Sequence, residues 1–277
     1  MTTEEFITEL FCRVDDAMVD VHKHPQSTLY PSEMVTLAFL FAIKGVGNRS
    51  FYRWIRRDCL SLFPHLPDRT RLFRLFKVHK DWTDRFLAEP TIFGVIDSYG
   101  IEMIHPYREG RSKAQVGRKG LSNHRWIVGG KLCLLLNKLG LVVDWASDTA
   151  NVSDQSFQSL VEADCPQSAE KVSDQMIVFA DKGFHKKEGD PANLKICKPR
   201  QWNDRMLANC PQSAEIETVF SMQTLVCHLK KVAHRVWAYF EMHLAFALAA
   251  FNVLVQWHGL PANADGFVPL SIAQFSL

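Results

Sequence analysis

Three acidic residues, far apart in the sequence, stand where carboxylates can act together on a metal ion. Asp97 ends the apolar run 92–96, and Asp181 ends the apolar run 176–180. Ligands and catalytic groups gather at the carboxyl ends of strands in α/β sheets, so we expect the two aspartates to lie side by side. Adjacent carboxylates repel each other unless a cation joins them, and oxygen-only ligands favour Mg²⁺ or Mn²⁺.

Glu217 is the third candidate ligand, and its placement depends on helical periodicity. From Ala214 onward the pattern is helical and mostly apolar, and one polar stripe carries Glu217, Ser221, Thr224 and His228. An acid on such a narrow stripe is expected to face a polar cavity. Alone, Glu217 is equally a solvent-edge residue, and each aspartate is equally a turn former or a helix cap. The three acids in the order strand, strand, helix are more specific than any one of them.

The residues before the first acid predict a helical region over 1–89. Apolar residues recur at helical spacing in 3–18, 34–43, 51–57 and 69–80, between Gly and Pro turns. The basic faces of these short helices suit a small DNA-binding module, and they equally suit a plain helical subdomain.

Residues 90–260 predict an α/β domain, a mixed sheet flanked by helices, with 261–277 as a tail. Apolar runs predict the strands, a hairpin at 138–140 joins two of them, and the helices follow later in the chain. The predicted strands are 92–96, 131–137, 141–145, 176–180 and 194–197, and the predicted helices are 153–162, one from 214 onward, and 236–257.

Charge and cysteine usage limit the classes of protein further. The net charge is only +2, yet residues 44–80 carry ten Lys and Arg against two acids, and 104–138 carry eight against one. Such segregation can neutralise phosphates along a track, or simply form a solvated face. The seven cysteines are scattered without a C-x-x-C pair, so we expect no zinc site, no disulfide framework and a reducing, cytoplasmic compartment. The apolar run 244–255 is shorter than a ~20-residue membrane span and predicts a buried helix.

The residues around the three acids resemble the catalytic domain of DDE-type bacterial insertion-sequence transposases, which has a ribonuclease H-like fold. The strongest matches are Asp-Lys-Gly-Phe at 181–184 and Ile-Glu-x-x-Phe-Ser at 216–221, with Val-Ile-Asp-Ser at 95–98. The basic stretch 119–126 is similar to the segment before the third strand of these enzymes. The resemblance covers roughly 90–260, and a helical region before the catalytic core is usual for the family.

The resemblance implies a transposase that cuts DNA at transposon ends and joins the freed 3′-OH to target DNA. Asp97, Asp181 and Glu217 would be both the catalytic residues and the ligands of two Mg²⁺ (or Mn²⁺) ions. DNA would be the partner, with a homodimer on the DNA and no membrane, in the bacterial cytoplasm at the nucleoid. The basic residues expected to contact DNA phosphates are Arg111, Lys113, Arg118, Lys119, Arg125, Lys182, Lys198 and Arg200.

One departure from the family leaves two other functions open. Many relatives carry a tyrosine and an arginine before the glutamate and a lysine after it, whereas this chain has Cys-Pro-Gln-Ser-Ala at 210–214 and Thr224. Their phosphate contacts would pass to Arg205, Lys230 or Lys231. The alternatives are a transposase-derived DNA-binding protein without chemistry, and a ribonuclease H-like nuclease without strand joining.

Overall fold

The computed structural model describes residues 1–259 except 112, 114, 123, 164–175, 187–188, 198–212, 231 and 233. The predicted tail therefore lies outside the described residues. The chain begins with four helices, as the periodicity predicts. They are α1 (Thr3–Ala17), α2 (Pro31–Lys44), α3 (Asn48–Asp58) and α4 (Arg69–Val78).

Local chemistry sets the ends of the first two helices. Thr2 and Glu5 form a capping box at the start of α1, with the Glu5 N–H donating to Thr2 Oγ1 at 3.2 Å and the Thr2 N–H donating to Glu5 Oε2 at 2.7 Å. Pro31 opens α2, where its missing N–H costs nothing. Gly45, with φ of +60°, ends the same helix in a left-handed conformation that glycine adopts without strain.

The second half of the described chain is built on one mixed sheet. Within the described residues the strands are β1 (Phe93–Ile104), β2 (Arg118–Ser122), β3 (Arg125–Asn137), β4 (Val142–Thr149), β5 (Ile177–Ala180) and β6 (Leu194–Ile196). The order is β2-β3-β1-β5-β6, and β4 also pairs with β3, beyond the end of β2. The β1/β3 and β3/β4 pairs are antiparallel, whereas β1/β5 and β5/β6 are parallel. The mixed sheet confirms the α/β class.

One strand prediction was wrong, and one strand was not predicted. β1 does not end at Asp97 but continues to Ile104, because Tyr99, Ile101 and Met103 alternate with polar or small residues and face the core. The sequence interval looked polar because only every second residue is apolar. The strand that was not predicted is β2, which the basic segment 118–122 forms. It pairs with the start of β3 as a hairpin.

Three further helices within the described residues follow the first four strands. α5 (Gln158–Ala163) follows a 3-10 turn at Asp154–Phe157, and α6 (Ser213–Leu225) and α7 (Trp237–His258) come later. α7 has the length and apolar composition of a membrane span, alone among the helices of the described residues. In this fold 78% of its apolar window is buried inside the protein, so the prediction of a buried helix is confirmed.

The hydrophobic core runs across the boundary predicted at residue 90. Helices α1 to α4 pack with α7 and one face of the sheet in a single cluster that includes Phe39, Phe246 and Leu134. A smaller cluster on the other face packs β1, β3 and β5 against α5 and its 3-10 turn, around Ile96, Cys133 and Phe157. Residue 90 therefore marks the change from helices to strands, and the two parts share one core.

Asn252 ties α7 to the sheet at the centre of this core. Its side chain is fully buried. The amide nitrogen donates to the carbonyl oxygens of Phe86 at 2.9 Å and Val142 at 2.8 Å, and its oxygen accepts from the Val142 N–H at 2.9 Å. Asn252, the one polar residue of the apolar run 244–255, is thus hydrogen-bonded both to the start of β4 and to the chain before β1.

We expect Asn252→Leu to lower the free energy of unfolding by about 3 kcal/mol, since the buried Phe86 carbonyl and Val142 N–H lose the Asn252 side chain at a cost of ~1–3 kcal/mol each, while the Val142 carbonyl still accepts from the Ala88 N–H. Urea denaturation followed by circular dichroism measures the change. Gln256→Ala, at an exposed position one turn later on α7, is the matched control. Equal stability of Asn252→Leu and wild type would show that these bonds do not hold α7 in place.

Candidate active site

The register of β1 and β5 brings Asp97 and Asp181 to the same level of the sheet. The two strands are parallel and their last paired residues are Val95 and Phe179. Two residues further along each strand come Asp97, in the middle of β1, and Asp181, directly after β5. The prediction that these acids lie side by side therefore agrees with the register, although only Asp181 follows the end of its strand.

Asp97 lies among other carboxylates in a half-buried position. Its Oδ1 accepts the backbone N–H of Ser98 at 2.7 Å. The pKa of Asp97 is raised to about 7, chiefly by burial and also by the negative charges of Asp181, Asp154 and Glu217, against the lowering effect of this hydrogen bond. The same charges that disfavour an ionised Asp97 would favour a bound cation.

The Asp-Lys-Gly-Phe sequence has a local structural explanation. Asp181 is exposed and caps the 3-10 turn Lys182–Phe184, with its Oδ1 accepting the Gly183 N–H at 2.8 Å. Phe184 anchors the turn in the smaller core. A Cβ on Gly183 would stand 2.8 Å from Asp154 Oδ2 and 3.0 Å from Asp181 Oδ1, so glycine leaves room for both carboxylates.

Glu217 projects from α6, which packs on β1 through Phe220 and Tyr99, with ring centroids 4.5 Å apart. Glu217 and Ser221 are exposed, which is the solvent-edge placement that the sequence left open beside a polar cavity. The stripe is shorter than predicted, because α6 ends at Leu225 and His228 lies beyond it in a left-handed conformation. Leu225, the last residue of the helix, is 68% exposed.

Asp154 is an acid of this site that the sequence interpretation missed. Its Oδ1 accepts hydrogen bonds from the Ser98 hydroxyl and, at 3.0 Å, from Lys131 Nζ. At the start of a predicted helix, after Ser153, an aspartate is explained by capping alone, and nothing nearby in sequence indicates Lys131 as its partner. A lysine within an otherwise apolar strand was the available signal.

The donors suit a divalent cation, but they are not gathered around one point. Across the described parts of the chain, no three His, Cys, Asp or Glu side chains lie close enough to hold a metal ion. Carboxylates are nevertheless the charged groups that act on Asp97. Hard oxygen donors of this kind select Mg²⁺ or Mn²⁺. The residues therefore fit such an ion in chemistry, with side-chain movement needed to close the coordination sphere.

Most of the predicted DNA-contacting residues lie on the surface. Arg125 forms an ion pair with Glu102, with 3.8 Å between the guanidinium nitrogen and the carboxylate oxygen. Lys119 Nζ is 3.4 Å from a Glu109 carboxylate oxygen. The same Nζ lies over the ring of Trp126, which is 57% exposed. Lys198 and Arg200 lie outside the described residues, as do Arg205 and Lys231. The exposed basic residues are Arg111, Lys113, Arg118, Lys119, Arg125 and Lys182.

Comparison with known proteins finds little similarity to this chain. No family model and no curated protein matches it. Among solved structures, the piggyBac transposase in a synaptic complex with hairpin DNA has a TM-score of 0.43 and 12% sequence identity, covering 95% of this chain and 76% of that chain. The assignment of function therefore depends on this chain's own residues and not on this likeness.

We expect Asp97→Asn to be more stable than wild type in metal-free buffer at neutral pH. Because the folded pKa of Asp97 is raised to about 7, the contribution of this group to stability is full below the unfolded pKa near 3.8 and is lost as pH rises through about 7. The asparagine variant avoids this loss, at most about 1.4 kcal/mol for each pH unit. Urea denaturation in EDTA from pH 4.5 to 8.5 measures it.

Asp148→Asn, at an exposed position on β4, is the control for removing a negative charge. If the difference in free energy of unfolding between Asp97→Asn and wild type stays constant over this pH range, the pKa of Asp97 is not raised in the folded protein.

Proposed function

We propose that this chain is a Mg²⁺-dependent DNA transposase with a ribonuclease H-like catalytic domain. The observation that carries the proposal is the half-buried Asp97 carboxylate at the point where β1 and β5 part, with the charges of three further carboxylates around it. Two of these, Asp181 and Glu217, belong to the sequence blocks that resemble DDE-type transposases. The mixed sheet, antiparallel on one side of β1 and parallel on the other, supports the same fold.

In this proposal the three acids are the metal ligands. Asp97, held in the sheet, and the exposed Asp181 and Glu217 would hold the Mg²⁺ ions through their carboxylate oxygens. When bound, the ions lower the pKa of the attacking hydroxyl and stabilise the leaving oxygen. The short turn after Asp181 and the packing of α6 on β1 keep the two outer acids near Asp97.

The chemistry consists of two in-line displacements at phosphorus. A water oxygen first attacks a phosphodiester at the transposon end, the P–O3′ bond breaks, and the 3′-oxygen leaves as a hydroxyl. That 3′-OH then attacks a phosphodiester of target DNA, forming a new P–O3′ bond and releasing a target 3′-OH. The chain supplies no covalent intermediate, so no Ser, Tyr or Cys nucleophile is required.

We expect Asp97→Asn, Asp181→Asn and Glu217→Gln each to lower Mg²⁺-dependent cleavage and joining by about 100-fold or more, since a metal contributes several kcal/mol to transition-state stabilisation. The substrate is linear DNA that includes the sequences flanking the coding region, with a 3′-end label to follow both products. Glu162→Gln, an exposed acid on α5, is the matched control.

The same assay separates the other functions. Wild-type protein that shifts this DNA without cutting it would be a DNA-binding protein without chemistry. Wild-type protein that nicks it but yields no joined product from a pre-cut 3′-OH end would be a nuclease. If any of the three variants cleaves and joins DNA at the wild-type rate, the substituted residue is not catalytic.

The β2–β3 hairpin is proposed to bind DNA phosphates through Arg118, Lys119 and Arg125. Each phosphate contact releases condensed counterions, so the slope of log K against log salt concentration is negative. Each lost contact reduces the magnitude of this slope by about 0.9. We expect Arg118→Ala and Arg125→Ala each to reduce the magnitude of this slope by about one. Fluorescence anisotropy with labelled duplex DNA from 50 to 300 mM KCl measures it.

Arg49→Ala, an exposed arginine on α3 outside this hairpin, shows whether the effect belongs to the hairpin. Unchanged slopes in both hairpin variants would place the DNA elsewhere on the protein.

A further inference from the structure

We propose that Asp154 is a positioning residue of this site, which uses Lys131 and Ser98 to hold β1 and the turn after β5 at the separation that the metal ions require. The inference rests on the proposed function, since it concerns the same carboxylates. It adds a group that belongs neither to the three sequence blocks nor to the proposed ligands.

The first part of the arrangement joins Asp154 to the strand of Asp97. The Ser98 hydroxyl donates to Asp154 Oδ1, while the Ser98 backbone N–H donates to Asp97 Oδ1. Ser98 is thus bonded to both acids, one through its side chain and one through its backbone. A shift of Asp154 is therefore transmitted to the residue that orients the Asp97 carboxylate.

The second part supplies the counter-charge. Lys131 lies on β3 opposite Gly100 of β1, and its side chain is 12% exposed. Its Nζ is 3.0 Å from Asp154 Oδ1. A half-buried ammonium needs a partner, and removing one member of such a pair leaves an uncompensated charge. Asp154 supplies that partner on the face of the sheet that Lys131 shares with Ser98, opposite the face of Asp97, and so keeps the ammonium paired beside the strand that carries Asp97.

The third part joins Asp154 to the turn that carries Asp181. Asp154 Oδ2 stands 2.8 Å from the position that a Cβ on Gly183 would occupy. Two hydrogen bonds lock the 3-10 turn of Asp154 and the start of α5 to the chain after Asp181: Gln155 Nε2 donates to the His185 carbonyl oxygen at 2.7 Å, and Gln158 Nε2 donates to that of Phe184 at 2.5 Å. Asp154 therefore contacts the segments of both aspartates.

These contacts also distinguish positioning from coordination. The Oδ1 atom of Asp154 already accepts from two donors, and one of them is a cation. A metal ion on the same oxygen would be repelled by Lys131. Groups that orient metal ligands in this way typically contribute about 10–100-fold to metal affinity.

The test is Mn²⁺ binding to the full chain without DNA, followed by the loss of the free-ion signal in electron paramagnetic resonance. We expect Asp154→Asn to weaken binding by about 10-fold, because the Lys131 ammonium loses its counter-charge and Ser98 loses its carboxylate acceptor, so the strand of Asp97 is no longer held in position. We expect the double variant Asp154→Asn/Lys131→Gln to recover most of the affinity, since it removes that ammonium. Urea denaturation of the same variants in EDTA is the second readout, since loss of a merely structural contact would lower stability without a specific loss of Mn²⁺ affinity.

Asp148→Asn is the matched control, because Asp148 lies directly opposite Lys131 on β4 and makes its hydrogen bonds to Thr149 instead. Wild-type affinity in Asp154→Asn would overturn the proposal. So would complete loss of binding that Lys131→Gln does not rescue, since Asp154 would then be a ligand.

Asp97→Asn separates these results from a failure of the proposed function. If the wild type binds Mn²⁺ and Asp97→Asn abolishes that binding, the metal site stands and the Asp154 variants report on positioning alone. If the wild type binds no Mn²⁺, or Asp97→Asn binds as well as wild type, the metal site itself is wrong and both proposals fall.

Discussion

The site depends on a single electrostatic constraint: a carboxylate held in the sheet is surrounded by other carboxylates. Burial and the charges of Asp181, Asp154 and Glu217 all raise the pKa of Asp97. An arrangement of like charges costs free energy unless protons or cations offset it. The protein itself supplies one cation, the ammonium of Lys131, which forms an ion pair with Asp154. The proposed metal ions would balance the remaining charge, which makes the acids a binding site rather than a local instability.

The fold provides the rigid part of this arrangement and leaves the outer part adjustable. Asp97 lies in the longest shared stretch of the sheet, where β1 pairs with β3 along almost its whole length. Asn252 and the apolar face of α7 fix that sheet to the helical half of the protein. Asp181 and Glu217 instead stand exposed, on a short turn and on a helix that ends soon after. The proposed metal site therefore combines one fixed acid with two exposed ones.

Much of this could be predicted from the sequence, because hydrophobic periodicity reports which residues face a core. The helices before residue 90, the hairpin at 138–140 and the strand before Asp181 follow from that pattern. The continuation of β1 past Asp97 was missed because its apolar residues alternate. Asp154 was missed for a different reason: its partners Ser98 and Lys131 lie 56 and 23 residues away, and only the folded sheet brings them together.

The most direct test of the account is to locate the ions themselves. Crystals of the protein with bound DNA, soaked in MnCl₂ and measured at the manganese absorption edge, would show ion positions by anomalous scattering. We expect two peaks, at the roughly 3.5–4 Å separation of two-metal sites, in contact with Asp97, Asp181 and Glu217. Peaks that avoid Asp97, or a metal held without it, would contradict the central claim.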